Sequence, residues 1–457
     1  MNEFKTTLPL FPYQKAGAEF LFQKGSGLLG DEMGLGKTIQ ALAVCEASEA
    51  KKVLIFCPSA VKWQWAEEIK KFTGQEAVVV EGTPKERHSC WTRHDYTTYF
   101  IVNYEQLLRD FNYMASREWD VIIADEATKI SNARTKQSRA IKKLKGKRRI
   151  AMTGTPVSNR ANEIWNIIDF CWPGALGNYW VFLNRYCLKN KWGGIFAYQN
   201  MDELRGKLQR YMIRRLKADV LPQLPAKIST DVPFELSEEE KTLYKKLKKE
   251  ILFEIEKTDI DKMERPMTIQ FTLVKMLRLR QLADSMELLG QQSKSSKLDV
   301  LKELLSEAMT EGKKAIVFTQ FSKMADILER ELAEYKPLKI SGTIKEAYKD
   351  VVDKFNTDQN NRILIMTSAG QFGLNIQRAS IIFHYDQEWS LAKMQQREGR
   401  AHRIGQKDTV MVYNLLAKGT LDYYVQKVLH KKLELSGQLL GDTPITMNDL
   451  KEMLKDE

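Results

Sequence analysis

The fold is decided by one stretch near the start of the sequence, Gly27-Leu28-Leu29-Gly30-Asp31-Glu32-Met33-Gly34-Leu35-Gly36-Lys37-Thr38. It places a short apolar strand, a glycine-containing loop and a Gly-Lys-Thr ending directly before the helical pattern of residues 39–47. Glycines let backbone N–H groups turn towards phosphate oxygens, Lys37 supplies a cation to the β- and γ-phosphates, and the Thr38 hydroxyl can coordinate Mg²⁺. The stretch therefore predicts a phosphate-binding loop between a strand and a helix.

One position of this loop departs from the usual pattern, which has Gly five positions before Gly36 where this chain has Asp31. The alternative interpretation is a glycine turn that only caps a helix. That alternative does not account for Lys37 and Thr38 at their offsets.

An acidic pair, Asp125-Glu126, follows the apolar run of residues 121–124. Sheets of the α/β class place ligand-binding residues at the ends of their strands. Asp125 can hold Mg²⁺ there, usually through water, and Glu126 can polarise the water that attacks a γ-phosphate in line. Such a pair could also cap a helix or be solvated, but its position after a phosphate loop favours the catalytic interpretation.

Upstream of the loop, the tetrapeptide Phe11-Pro12-Tyr13-Gln14 offers a side-chain amide. Gln14 could pair with both N6 and N7 of adenine, the geometry by which Gln reads adenine in DNA. Without the loop, the tetrapeptide would be interpreted as a surface turn.

Short apolar runs that end in small or polar residues recur along the chain and predict buried parallel strands. They fall into two sets, residues 53–57, 121–124 and 150–152, and residues 315–318, 363–366, 381–383 and 410–413. Residues 202–297 between the sets are charged and helix-favouring, interrupted by Pro222, Pro225 and Pro233. We expect two α/β lobes, with the prolines as a linker and the Lys/Glu-rich stretch as helices beside the second lobe.

Composition narrows the class of protein. A chain of 457 residues is too long for one core and predicts two or three domains. The net charge of +12 and the pI near 9.2 favour a polyanionic partner. No apolar run reaches membrane-span length, and residues 1–9 lack a signal-peptide core, so we expect a protein inside a cell and free of membranes. The five cysteines show no paired spacing, which favours reduced structural thiols.

A basic segment, residues 396–406, places Arg400 and Arg403 three positions apart, hence on one face if the segment is helical. Two guanidinium groups aimed at a γ-phosphate would stabilise transition-state charge, as arginine fingers do. The alternative is a basic helix face on the surface.

Taken together, the chain resembles a Swi/Snf-related ATPase of helicase superfamily two, of the compact bacterial or phage type. The matching segments follow the family order and include residues 11–14, 31–38, 57–59, 103–105, 125–128, 153–156, 317–320, 369–375 and 396–406. Three segments are specific to this family, residues 64–67, 219–225 and 402–406.

The resemblance implies two tandem RecA-like parallel-sheet lobes of α/β class, with helical insertions between and beside them. Lobe 1, with the phosphate loop and the Asp-Glu-Ala-Thr box, would span residues 1–230, a linker and helical insertion residues 231–294, and lobe 2 with C-terminal helices residues 295–457. ATP would lie in the cleft between the lobes and duplex DNA across both.

The resemblance also implies the cofactors ATP and Mg²⁺ and a set of site residues. The catalytic residues would be Lys37, Asp125, Glu126, Arg400 and Arg403, with Thr38 and Asp125 on the metal. Gln14 would select adenine, and the other nucleotide contacts would come from Asp31, Glu32, Met33, Gly34, Leu35, Gly36, Lys37, Thr38, Gly373 and Gln396. Residues matching family positions near the DNA path are Pro58, Ser59, Asn103, Lys129, Asn132, Thr155, Gln320, Thr367 and Trp389. Each of these could equally be structural.

Three positions depart from the family pattern: Thr128 replaces His, Gln371 interrupts a double-glycine turn, and Gly399 replaces Asp. None removes a phosphate or Mg²⁺ ligand, so we expect catalysis to survive while coupling between the lobes differs.

The predicted function is a DNA-dependent ATPase that moves along double-stranded DNA and remodels or displaces bound proteins or DNA structures. A strand-separating DNA or RNA helicase and an ATP-switched, non-catalytic DNA clamp are the alternatives. Protein partners could supply targeting, and a monomer is favoured. The expected location is the cytoplasm of a bacterial or phage-infected cell, in association with the nucleoid.

Overall fold

The computed structural model describes residues 6–94, 96–154, 156, 162–189, 195–257, 266–291, 294–342, 348–367 and 374–427. The chain divides into two units, the first reaching Gln223 and the second beginning at Leu224. The predicted three-part division at residues 230 and 294 stays a prediction.

The strands of the first unit are β1 (Gly27–Leu29), β2 (Val53–Cys57), β3 (Ala77–Val79), β4 (Tyr99–Asn103), β5 (Glu118–Asp125), β6 (Lys145–Met152), β7 (Cys187–Lys189), β8 (Ile195–Tyr198) and β9 (Met212–Ile213). β7 and β8 form an antiparallel hairpin. The others form one sheet in the order β3-β4-β2-β5-β6-β1-β9, and every neighbouring pair is parallel. All five residues of the inner strand β2 are buried, as a sheet covered on both faces requires.

Parallel strands need crossover connections, and helices supply most of them here. The helices of the first unit are α1 (Pro12–Lys24), α2 (Lys37–Ala47), α3 (Lys62–Thr73), α4 (Pro84–Arg93), α5 (Gln106–Arg109), α6 (Phe111–Ala115), α7 (Lys136–Lys143), α8 (Glu163–Cys171), α9 (Tyr179–Tyr186), α10 (Met201–Leu208) and α11 (Lys217–Val220). α4 begins with a capping box: the Thr83 hydroxyl accepts from Glu86 N, and Glu86 Oε2 accepts from Thr83 N at 2.6 Å.

The strands of the second unit are β10 (Lys227–Phe234), β11 (Ala315–Phe318), β12 (Leu338–Ile340), β13 (Ile363–Met366), β14 (Ile381–His384) and β15 (Val410–Ala417). They form a sheet in the order β10-β15-β14-β11-β13-β12, again with parallel neighbours. The helices are α12 (Glu238–Lys257), α13 (Pro266–Asp284), α14 (Ser296–Thr310), α15 (Ser322–Glu331), α16 (Tyr348–Thr357) and α17 (Leu391–Glu398).

The two sheets confirm the predicted α/β fold with two tandem RecA-like lobes. Every strand predicted from an apolar run is present. The predicted helices beside the second lobe are confirmed too, since Tyr244 of α12 and Leu279 of α13 lie in one buried cluster with Phe383 and Leu415 of the second sheet.

The interpretation of Pro233 as part of a linker is wrong, because it lies in β10. β10 is the edge strand of its sheet, where a proline without an N–H breaks no ladder. Most of its residues are exposed or half-buried, so no apolar run marks the strand.

The five cysteines are free thiols, and Cys90 is half-buried while the others are buried. Among the described residues, the helices are too short or too polar to cross a membrane.

Candidate nucleotide and nucleic-acid sites

The phosphate loop joins the end of β1 to the start of α2. Gly34 and Gly36 have φ values of +84° and +73°, a region open to glycine. A Cβ on Gly36 would lie 2.4 Å from Nε2 of Gln14. α2 begins at Lys37, so the N–H groups of its first turn have no partner within the helix and are suited to an anion.

The Lys37 ammonium is held by the loop itself. Its Nζ donates to the carbonyl oxygens of Asp31 at 2.9 Å and Glu32 at 3.3 Å. Burial lowers the pKa of Lys37, and the carboxylates of Glu126, Asp31 and Asp125 act in the opposite sense, in that order of size. The cation thus lies within electrostatic reach of the acidic pair, and a bound phosphate would replace its carbonyl contacts.

Asp31, predicted as a nucleotide contact, is fully buried and already paired. Its Oδ1 accepts from Arg215 Nε at 2.9 Å, and its Oδ2 accepts from Gln40 Nε2 at 3.1 Å. Arg215 Nη2 also donates to Gln40 Oε1 at 2.8 Å and Nη1 donates to the Tyr13 carbonyl. The Asp31 side chain therefore anchors the loop, and Arg215 ties that anchor to α1.

The other loop residues contact neighbouring segments. Glu32 Oε2 accepts from Lys217 N at 2.8 Å. The Met33 side chain packs on Gly154, where an added Cβ would lie 2.4 Å from Met33 Cγ. The loop is thus fixed against the segment that follows β6 and against the start of α11.

Gln14, predicted to select adenine, lies beside the loop and is almost fully buried. Its Nε2 donates to the Leu35 carbonyl at 3.2 Å, and its Oε1 accepts from Phe11 N at 3.0 Å. Burial and the charge of Asp31 raise the pKa of the neighbouring Tyr13 to about 12, and its hydroxyl donates to the same Leu35 carbonyl at 3.2 Å. To read adenine, the Gln14 amide would exchange these protein partners for the base.

Asp125 ends β5, and Glu126 follows it with a φ of +50°, a strained value for a residue with a side chain. Three donors hold Asp125: Trp65 Nε1 to Oδ2 at 2.9 Å, Glu126 N to Oδ1 at 3.0 Å and the Tyr104 hydroxyl to the main-chain carbonyl at 2.6 Å. β5 and β1 flank β6 in the sheet, so the acidic pair and the phosphate loop share one carboxyl edge.

The donor set fits Mg²⁺ bound with a nucleotide. Mg²⁺ is usually held by one or two protein oxygens together with phosphates and water, rather than by a cage of protein ligands. Thr38 at the start of α2 and Asp125 at the end of β5 supply a hydroxyl and a carboxylate. Among the described residues, no cluster of three or more His, Cys, Asp or Glu could hold a metal without phosphate.

The DNA-contact candidates of the first unit also follow strands at this edge. Pro58 and Ser59 follow β2, and Ser59 is exposed. Asn103 ends β4, but its Oδ1 accepts from Gln106 N at 2.8 Å and its main chain returns a bond to Gln106. Lys129 and Asn132 lie exposed after β5. Thr155 lies outside the described residues.

The candidates of the second unit lie at the corresponding edge of its sheet. Gln320 follows β11; its N donates to Asp386 Oδ2 and its Nε2 to the Gln387 carbonyl, both at 2.7 Å. Thr367 follows β13 and is buried. The Trp389 ring lies under the guanidinium of Arg280, 5.3 Å from Cζ, and Arg280 Nη1 also donates to Gln320. Arg280 therefore holds two predicted DNA contacts from α13.

The arginine candidates do not lie on a helix face. α17 ends at Glu398, so Arg400 and Arg403 belong to the turns that follow. Arg400 is buried and Arg403 is half-buried. Gln396 lies in the last turn of α17 and is nearly buried. The interpretation of the three-residue spacing as a helical face is therefore wrong, and Gly373 and Gln371 lie outside the described residues.

Two of the family departures fall in described segments. The Thr128 hydroxyl approaches the Glu126 carbonyl at 3.5 Å, and Gly399 ends α17 with an ordinary φ of −64°. Thr128 therefore contacts the main chain of the catalytic candidate, while Gly399 has no torsion that requires glycine.

Sequence reasoning missed Arg215 and Arg280, and it noted Tyr104 and Trp65 only as parts of family segments. Arg215 meets Asp31 across 184 positions of sequence, and Trp65 meets Asp125 across 60. No local pattern connects such partners. The available signal was the Gln-Trp-Ala-Glu segment, residues 64–67, whose tryptophan is one of the buried residues of α3.

Comparison with known proteins gives two matches to family models. Residues 13–288 match the SNF2-related domain, and residues 296–405 match the helicase conserved C-terminal domain. The first match alone covers more than half of the chain.

Relatives of known sequence match along nearly the whole chain. A Bacillus subtilis protein that carries the name ATP-dependent helicase/translocase YwqA is 32% identical over 98% of this chain and 51% of its own length. A Mycoplasma genitalium protein named ATP-dependent helicase MG018 is 31% identical over 93% of this chain and 41% of its own. The chain thus spans about half the length of the curated relatives it matches. Among solved structures, a Sulfolobus solfataricus SWI2/SNF2 ATPase core in complex with dsDNA is 30% identical and covers 95% of this chain and 93% of that one, with a TM-score of 0.47.

Proposed function

The chain belongs to the SNF2-related family of helicase superfamily two, and on that premise we propose that it is a DNA-stimulated ATPase that translocates along double-stranded DNA. Its work would be to displace bound proteins or to remodel DNA structures. The proposal concerns the activity, substrate and partners of the whole protein.

One observation carries the proposal: the phosphate loop, Asp125 and Glu126 share the carboxyl edge of one parallel sheet, with Lys37 close enough for the acidic pair to influence its pKa. This arrangement suits in-line attack of water on a γ-phosphate. Mg²⁺, held by Thr38 and Asp125 when bound with ATP, would neutralise phosphate charge. Lys37 would hold the phosphates, Glu126 would orient and polarise the water, and Gln14 would select adenine.

Arg400 and Arg403 are proposed as the arginine fingers of this reaction. Guanidinium groups at the γ-phosphate would stabilise the charge that develops in the transition state. The burial of Arg400 supports this assignment over a solvated basic face, because a buried guanidinium requires a defined polar or anionic environment. Gln396 and Gly373 stay proposed nucleotide contacts.

Duplex DNA is the proposed track. Both sheets carry polar candidate contacts after their strands, and the chain has a surplus of 12 positive charges. The relative named an ATP-dependent helicase/translocase supports ATP-driven movement. Pro58, Ser59, Asn103, Lys129, Asn132, Thr155, Gln320, Thr367 and Trp389 are the proposed contacts. The bacterial relatives support a bacterial or phage-infected cell as the setting. Work at the nucleoid, as a monomer with targeting from protein partners, stays a prediction.

The first test measures ATP hydrolysis by the purified protein with no nucleic acid, with linear duplexes of increasing length, with single-stranded DNA and with duplex RNA. Glu126→Gln is the blank, and we expect it to lower turnover roughly 10²- to 10⁴-fold while ATP still binds, because only proton transfer and water orientation are removed. Stimulation chiefly by duplex DNA, rising with length, supports the proposal. Stimulation chiefly by single strands favours a strand-separating helicase, and absence of turnover favours the ATP-switched clamp.

A second test separates movement from unwinding. A third strand bound in the major groove of a duplex should be displaced in an ATP-dependent reaction, while a forked duplex of the same length should stay paired. Glu126→Gln should do neither. Unwinding of the fork without displacement of the third strand would contradict translocation along the duplex.

A further inference from the structure

Trp65 lies on α3, yet its side chain reaches the acidic pair at the end of β5. Its indole N–H donates to Asp125 Oδ2 at 2.9 Å, and the residue is only 3% exposed. An indole has one donor and no acceptor, so a buried indole that points at a carboxylate has a single polar partner to satisfy. If Trp65 only filled space, an aromatic ring without an N–H would pack there equally well.

The rest of the Asp125 surroundings leaves the carboxylate little freedom. Glu126 N donates to Oδ1 at 3.0 Å, so each carboxylate oxygen has a donor. The Tyr104 hydroxyl donates to the Asp125 carbonyl at 2.6 Å, and burial raises the pKa of Tyr104, which keeps it protonated as a donor. A carboxylate has about four acceptor sites, so these two donors alone do not fill them.

We infer that Trp65 is a positioning residue, whose indole N–H fixes the Asp125 carboxylate through which Mg²⁺ would be held. This inference rests on the proposed ATPase function and assigns a role to the Gln-Trp-Ala-Glu segment. Groups that orient a metal-binding side chain commonly change metal affinity or activity by about 10- to 100-fold when they are removed.

The variant Trp65→Phe removes the N–H and keeps an aromatic ring. Trp63→Phe is the matched control, because Trp63 lies two positions away in the same helix and is 61% exposed. Residues two apart on a helix do not share a face. Both variants lose one indole from α3, and only Trp65→Phe loses a donor to Asp125.

The test measures the Kd of a fluorescent ATPγS analogue in Mg²⁺ and in EDTA, so it does not depend on turnover. We expect the wild type, Trp65→Phe and Trp63→Phe to bind the nucleotide equally in EDTA. The ratio of Kd in EDTA to Kd in Mg²⁺ should fall about tenfold in Trp65→Phe alone. The Mg²⁺ concentration for half-maximal hydrolysis should rise by a similar factor. A ratio in Trp65→Phe equal to that of the wild type overturns the inference.

Two further outcomes are informative. If the wild type has a ratio of Kd in EDTA to Kd in Mg²⁺ of one, the inference is overturned, because Asp125 then holds no metal. If the wild type neither binds nucleotide nor hydrolyses it, the proposed function is overturned as well. If Trp65→Phe fails to fold, 3-benzothienylalanine at position 65 keeps the shape of the indole and has sulfur in place of N–H. It should reproduce the expected change in ratio, and an unchanged ratio there overturns the inference.

Discussion

Gly36 carries two constraints at one Cα atom. Its φ of +73° is costly for a residue with a Cβ, by about 1–2 kcal/mol. The Cβ itself would lie 2.4 Å from Gln14 Nε2, the amide proposed to read adenine. Gly74 provides a comparison at the end of α3, since its φ is +74° and an added Cβ would meet nothing within 4 Å. The two glycines therefore separate backbone strain from a clash at the nucleotide site.

We expect Gly36→Ala to weaken ATP binding at least tenfold, because the methyl group displaces Gln14 and strains the phosphate loop. Gly74→Ala should lose about 1 kcal/mol of unfolding free energy and bind ATP as the wild type does. Titration with a fluorescent nucleotide and urea unfolding of both variants measure these effects. Equal ATP affinity in the two variants would contradict the prediction that a Cβ at position 36 disturbs the nucleotide site through Gln14.

At the scale of elements, β10 and α17 are joined by charge. Lys227 of β10 forms an ion pair with Glu398, the last residue of α17. His384, at the end of β14, lies 3.6 Å from the same carboxylate. Burial alone would raise the pKa of Glu398, but His384 and the charge of Lys227 outweigh it and lower the pKa to about 2. The segment carrying Arg400 and Arg403 thus begins at a carboxylate tied to the edge strand.

This carboxylate predicts a pH dependence of stability. The folded-state pKa of about 2 lies below the ordinary 4.5, so Glu398 contributes stability above pH 4.5 and loses it as the pH falls towards 2. Glu398→Gln should cost on the order of 2 kcal/mol at pH 7 and progressively less below pH 4.5. Urea unfolding from pH 7 to pH 3 measures the difference. Glu235→Gln, which removes an exposed partner of Lys241 and Lys418, should have a smaller effect, and a pH-independent difference for Glu398→Gln would contradict the assignment.

At the scale of the whole molecule, each unit has its own sheet and buried core. The core of the second unit also contains a charge cluster. Lys297 of α14 is fully buried, with its Nζ 2.7 Å from Asp284 Oδ1 and paired with Asp422 as well. One cation therefore pairs with carboxylates from two other segments of that unit, and its removal leaves both of them buried without this partner.

We expect Lys297→Met to destabilise the second unit by about 3–5 kcal/mol. Lys302→Met, on the same helix, removes a half-exposed pair with Glu331 and should cost less than about 1 kcal/mol. Eight of the nine tryptophans precede residue 224, so tryptophan fluorescence reports mainly on the first unit while circular dichroism reports on both. Lys297→Met should shift a dichroism transition and leave the fluorescence transition in place. A shift of both transitions by the same amount would contradict independent units.

The sequence predicted those features that depend on neighbours along the chain. Runs such as residues 53–57 and 315–318 were apolar throughout because their strands are buried on both faces. β10 escaped prediction because an edge strand needs no such run and tolerates Pro233. The phosphate loop and the acidic pair could be read from spacing, whereas the anchoring of Asp31 by Arg215 could not, because it depends on a tertiary contact. The end of α17 before Arg400 coincides with Gly399, a stop signal that the three-residue spacing of the arginines does not contain.

The anchoring of Asp31 by Arg215 has a consequence for synthesis on the ribosome. Arg215 is 184 positions downstream of Asp31, and β9 pairs with β1 only after residue 213. At roughly 5–20 residues per second, that interval of translation lasts about 10–40 seconds. During that time the phosphate loop of the nascent chain lacks its contacts with Arg215 and β9. Those residues are still inside the exit tunnel or not yet translated. The contacts that hold the phosphate loop are therefore complete only after residue 215 has been translated.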